Sequence, residues 1–214
     1  CFLISDSLMG EEFKEHGLFA DKSPEPKQTE PSETSLPLKI NSKSRIAYVG
    51  NTLLDRAQHF GHFEAFLHQR FPNKELAVRN FAWSADEIDL MPRPDNFASV
   101  DQHLFHHRAD IIFAAFGFNE SFAGKEKVSE FKSRLQTYLQ HTKSRAYNGK
   151  SGPEIILISP NRNQNIQGVT AADMNNETIN AYTNAMREVA KSEKVGFVDV
   201  FTTEYPIGST FNGV

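Results

Sequence analysis

Three short stretches carry residue types that can act together on a carbonyl carbon. The first is Gly50-Asn51-Thr52-Leu53, where a hydroxyl follows a glycine. A threonine hydroxyl attacks an acyl carbon once a base takes its proton. The second is Asn80-Phe81-Ala82-Trp83-Ser84-Ala85-Asp86, small and polar residues around the single tryptophan of the chain. The third, Gly117-Phe118-Asn119-Glu120-Ser121, offers an amide that can donate a hydrogen bond to a developing oxyanion. Each stretch also has a plainer reading. Thr52 would serve as a helix N-cap behind a turn at Gly50, Ser84 as the cap of a short helix, and Asn119 as the start of an Asx-turn.

Other chemistry-bearing residues are less well placed. Asp55, Arg56 and Asp86 lie close in sequence to these stretches, where salt bridges account for them as readily as a cleft does. Ser159-Pro160-Asn161-Arg162-Asn163 follows an apolar run and can bring polar groups toward a substrate. Eight histidines are present. The pairs His59/His62 and His103/His107 have helical spacing suited to metal ligands, but no matching acidic cluster accompanies them, so solvated helix faces are expected and no metal.

The surrounding pattern supplies the elements that would position these residues. RIAYVG, LAVRN, DIIFAAFG, EIILIS and GFVDVF are short apolar runs that read as five buried strands. Between them, Leu53, Ala57, Phe60, Phe63 and Leu67 recur at helical spacing and predict one helix through TLLDRAQHFGHFEAFLHQRF. SVDQHLFHHR predicts another, and Val128, Phe131, Leu135 and Leu139 make the next amphipathic. ETINAYTNAMREVAKSEK predicts the last. Strands alternating with helices of this length imply right-handed crossovers and a parallel sheet covered on both faces. Function in such sheets collects at the carboxyl ends of the strands, where all three stretches fall. Ordered structure is expected from about residue 44. Before it, residues 1–43 are expected to be a flexible tail and linker, because DKSPEPKQTEPSETSLP is nearly free of large apolar residues.

In order and spacing, the three stretches resemble the blocks of the SGNH, or GDSL-type, hydrolases. That family's first block is Gly-Asp-Ser-Leu with a nucleophilic serine, and Gly50-Asn51-Thr52-Leu53 stands here. Its second block carries a glycine whose N–H serves the oxyanion hole, a place the alignment of Asn80-Phe81-Ala82 gives to Ala82. Its third, Gly-x-Asn-Asp, matches Gly117-Phe118-Asn119-Glu120. Its last, Asp-x-x-His, would begin at Asn212-Gly213-Val214, with the histidine as the next residue. The resemblance spans about residues 44–214, and GNTLLDRAQ, NFAWSADE and FGFNESFAG look like a subgroup found in large multidomain proteins of planctomycete-type bacteria. It implies a three-layer α/β/α sandwich with a five-stranded, mostly parallel sheet, the flavodoxin-like SGNH hydrolase fold. It also implies Thr52 as the catalytic nucleophile, with an oxyanion hole formed by the N–H groups of Thr52 and Ala82 and the amide of Asn119. Asn51, Ser84, Glu120, Asn161 and Asn212 would line the site.

The departures from the family pattern bear on activity. The extra methyl of Thr52 crowds an elbow built for serine, and Asn212 in place of aspartate would not stabilise an imidazolium by charge. The chain taken alone is therefore expected to be a fragment with little or no turnover of acyl or acetyl esters. The alternative is a non-catalytic glycan- or ester-binding module on the same fold. A flavodoxin-like cofactor domain is disfavoured by the lack of a Gly-rich phosphate loop, and no cofactor is expected. The remaining composition is permissive: 214 residues, 39% of them hydrophobic, suffice for one core. A formal charge of -4 provides no basic field for nucleic acid, and no apolar run is long enough for a membrane span. Cys1 is the single cysteine, so no internal disulfide exists. A processed bacterial lipoprotein also begins with Cys, the one pointer to a periplasmic or extracellular setting.

Overall fold

A computed structural model describes residues 18–164 and 171–203. Strands β1 (Lys27–Gln28), β2 (Arg45–Gly50), β3 (Ala77–Asn80), β4 (Ile111–Ala115), β5 (Arg145–Ala146), β6 (Glu154–Ile158) and β7 (Gly196–Val198) alternate with helices. The helices are α1 (Thr52–Ala57), α2 (His62–Arg70), α3 (Val100–His107), α4 (Val128–Lys143) and α5 (Ala172–Glu193). Five strands form one sheet in the order β3-β2-β4-β6-β7, and every neighbouring pair is parallel.

Strand residues alternate between the two faces, as the two-residue period of a strand requires. Ala47, Val49, Ile112, Ala114, Ile155 and Leu157 join one buried cluster with Leu104 of α3, Phe131, Leu135 and Leu139 of α4, and Tyr182, Met186 and Val189 of α5. Ile46, Tyr48, Ile111, Phe113, Ala115 and Ile156 face the other way, onto Leu54 of α1 and Leu67 of α2, with Leu38 and Ile40 packed beside them. The result is the three-layer α/β/α sandwich expected from the sequence.

Three expectations need revision. The single helix expected from Thr52 to Phe71 is broken: α1 ends at Ala57, and α2 starts after Gly61, whose backbone is left-handed at φ 62°. That conformation costs a glycine little, and it re-aims the chain so that Leu54 and Leu67 both reach the sheet. The Phe60 side chain is left 69% exposed. The second concerns the flexible tail and linker expected over residues 1–43. From Leu18 onward this segment is hydrogen-bonded to the domain, with β1 antiparallel to β5. Thr29 N–H donates to Ser144 O, Ser32 N–H to Lys143 O and Thr34 N–H to Lys194 O, at 2.9, 2.9 and 3.0 Å. The Thr34 hydroxyl donates to Ile155 O and accepts from Ile155 N–H. Polar side chains and backbone groups tie the strap down, an attachment that low hydrophobicity does not exclude. The last helix also starts earlier than the motif suggested, at Ala172.

Candidate functional site

At the exit of β2 the backbone runs close against β4. Gly50 pairs with Ala115 in register, and Asn51 N–H donates to Ala115 O at 3.0 Å. At Gly50, φ is 120°, and an added Cβ would stand 2.0 Å from Ala115 O, so only glycine fits. Asn51, 2% exposed, is the N-cap of α1: its side-chain oxygen accepts from Leu53 N–H at 3.2 Å. Thr52 is therefore not the cap but the first helical residue. Its hydroxyl is released from capping, and its N–H belongs to the first turn, which has no intrahelical acceptor.

The turn after β3 faces that hydroxyl. Ala85 lies in the left-handed region at φ 70°, and its N–H donates to Thr52 Oγ1 at 3.4 Å. Such a conformation costs a non-glycine residue on the order of 1 kcal/mol and is found where surrounding contacts impose it. Here the contacts are at the next residue: Asp86, buried, is bridged by both terminal nitrogens of Arg93, at 2.9 and 2.6 Å. Arg93 in turn lies over the Trp83 ring, 4.1 Å from its centroid. Trp83 N–H donates to Gly50 O at 3.0 Å, fixing the turn to the β2 exit. Ala82 sits differently from what the motif alignment implied. It is buried, and its N–H is engaged by Asn80 Oδ1 at 3.0 Å, while Asn80 Nδ2 donates to Leu54 O. Ser84 caps no helix; its hydroxyl donates to Asp55, which also accepts from Gln58.

Asn119 closes the group. It makes no Asx-type cap bond to the short 3-10 turn Glu120–Ala123, and its Nδ2 donates to Asp86 O at 3.3 Å. Residues 85 and 86 thus join Thr52 on one side to Asn119 on the other. The Glu120 carboxylate, 3% exposed, accepts from Gly117 N–H at 2.7 Å and from Ile88 N–H at 3.2 Å, tying the β4 exit to the loop after Asp86. Burial pushes its carboxyl above the usual carboxylate range, opposed by the backbone N–H groups that favour the charged form. Glu120 is a buttress of the Asn119 turn.

Thr52 also lines a cleft of about 430 Å³ shared with Asn51, Arg56 and Asn161. Asn161 is exposed and donates to Arg162 O at 3.3 Å. A larger cleft, about 1080 Å³, lies along Trp83, Arg93, Phe97 and His103. Among the described residues no histidine is hydrogen-bonded to Thr52. His107 is buried with Nε2 3.1 Å from Ile46 O, His103 packs against Phe81 and Phe97, and His141 pairs with Asp101. Burial lowers the pKa of both His103 and His107. No group of three or more His, Cys, Asp or Glu suited to a metal occurs among the described residues. No described helix is long and apolar enough to cross a membrane. Asn212, and with it the expected last block, lies outside the described residues.

Neither a protein-family model nor a curated protein matches the chain. Solved structures do. A catalytic mutant of Axe2, an acetylxylan esterase from Geobacillus stearothermophilus, is similar with a TM-score of 0.58 at 21% identity, covering 79% of this chain and 84% of that one. Axe2 itself gives 0.55 at 18% identity over the same shares. A gut microbial diltiazem-metabolizing enzyme gives 0.56 at 20% identity, covering 79% of this chain and 39% of that one. What these likenesses establish is the fold: the chain is built on the same three-layer frame as a group of esterases, with Thr52, Ala85 and Asn119 gathered at the carboxyl ends of its strands.

Proposed function

We propose that the chain is an ester-hydrolase domain of the SGNH type, acting by acyl transfer at Thr52 on acyl or acetyl esters, including those carried by carbohydrate. The observation that carries this reading is the release of the Thr52 hydroxyl. Asn51 takes over the capping role, leaving Oγ1 opposite the Ala85 N–H in a turn that also holds Asn119. In the reaction, Thr52 Oγ1 bonds to the carbonyl carbon and its proton passes to a base. The carbonyl oxygen becomes an oxyanion, and the alcohol leaves with a proton. Water then releases the acid and restores the hydroxyl. The oxyanion is held by the N–H groups of Thr52 and Ala85 and by Asn119 Nδ2. Ala85 takes the place assigned to Ala82, because its N–H is directed at Thr52 Oγ1 whereas that of Ala82 is turned to Asn80 Oδ1. In the family resemblance the base is the histidine that would follow Val214, and the Thr52 methyl slows the attack.

The second reading, a glycan- or ester-binding module without turnover, draws on one observation: among the described residues no base is bonded to Oγ1. Assays on short acyl esters and acetylated sugars, made on protein that carries the last block with its histidine, separate the two. Turnover that disappears in Thr52→Ala supports the hydrolase, whereas glycan affinity unchanged in that variant, with no hydrolysis in either protein, overturns it.

A further inference from the structure

The cleft beside Thr52 is not lined like a sugar site. Its walls are mostly apolar, with Leu53, Ala57, Phe60, Phe116, Phe118 and Pro160 against the polar members Asn51, Thr52, Arg56 and Asn161. Ala85 and Asn119 do not line it. A hydroxyl-rich alcohol entering it finds few partners to replace the water it gives up, a cost that an alkyl chain does not meet. The rim is aromatic as well. Phe60 is 69% exposed and its ring lies alongside that of His62, itself exposed. Phe122, also exposed, meets Phe118 edge-on at 5.5 Å. Large exposed apolar side chains at or next to residues lining a cleft mark a contact with something apolar.

The geometry points to an acyl-chain site: resting on the acyl-transfer reading above, the cleft takes the acyl half of the ester and selects chains longer than acetyl. A water-sized group occupies about 30 Å³, so a cleft of about 430 Å³ has room for an acyl chain of eight carbons, of which an acetyl group fills only a small part. Each further buried methylene tightens binding about fourfold. Phe60, whose helical spacing suggested a core face, thereby gains a role at the surface.

The test uses calorimetric titration with sodium acetate, butyrate and octanoate, three carboxylates of equal charge, on the wild type and on Thr52→Ala. Octanoate is expected to bind at least a hundredfold more tightly than acetate in both. Ala57→Trp, which fills the cleft, and Phe60→Ser, an exposed change that spares the core, each weaken octanoate at least tenfold and leave acetate unchanged. Octanoate binding no tighter than acetate, or unaffected by both variants, overturns the acyl site even if the protein hydrolyses esters. Graded chain-length binding in a protein without esterase turnover supports the site and overturns the hydrolase reading alone.

Discussion

In the proposed reaction Thr52 and Asn119 carry the chemistry, and they differ in how much the sequence disclosed. The Gly-x-Asn context singles out Asn119, and the structure gives its amide a bond to Asp86 O in place of an Asx-turn. Thr52 was ambiguous, because a hydroxyl after a turn glycine is also how a helix is capped. The ambiguity is removed by Asn51, whose own side chain caps α1. Ala85 escaped notice since nothing in the residue type announces a left-handed backbone; only the flanking polar pattern Ser84-Ala85-Asp86 hinted at a turn. Removing an oxyanion donor costs on the order of 10²–10³ in kcat. Asn119→Ala is therefore expected to reduce kcat about a hundredfold with little change in KM, read from steady-state hydrolysis of p-nitrophenyl butyrate. A proportionate rise in KM at constant kcat would instead make Asn119 a ground-state binding group.

The strands and their order of use were visible because parallel, doubly covered strands read as unbroken apolar runs. The break between α1 and α2 was not, since Phe60 and Phe63 continue the helical spacing of Leu53 and Ala57 straight through Gly61. An apolar face predicts burial only if something lies opposite, and here part of that face borders a cleft. The turn from Trp83 to Asp86 depends on an ion pair that no motif shows: Arg93 bridges buried Asp86 and covers Trp83. Taking one partner from a buried pair leaves an uncompensated charge. Arg93→Met is expected to lower stability by about 3 kcal/mol in urea denaturation. Arg93→Met combined with Asp86→Asn is expected to recover part of that loss. A double variant less stable than the single one would show that the charge of Asp86 is not what Arg93 compensates.

Across the whole molecule, the three layers followed from the alternation of strands and helices, while the strap from Lys27 to Thr34 did not. It is held by backbone groups at the ends of α4 and α5 and by Ile155, partners that lie more than a hundred residues away along the chain. Burial of histidine couples the fold to pH. The pKa of His107 is lowered from 6.5, chiefly by desolvation, so the native state prefers it neutral and the unfolded chain binds the extra proton. Stability is accordingly full above pH 6.5 and falls as the pH drops below that value toward the lowered native one. Denaturation midpoints at pH 8, 6 and 5 should decline more steeply for the wild type than for His107→Gln; parallel declines would assign the acid sensitivity elsewhere. The frame, the freed hydroxyl and its donors meet in one claim, that Thr52 is the group that takes the acyl chain. The most direct measurement is kcat/KM for p-nitrophenyl butyrate in the wild type, Thr52→Ser and Thr52→Ala, each carrying the last block with its histidine. The account predicts a faster serine variant, free of the crowding methyl, and an alanine variant at the uncatalysed background. A Thr52→Ala protein that hydrolyses the ester as fast as the wild type would contradict it.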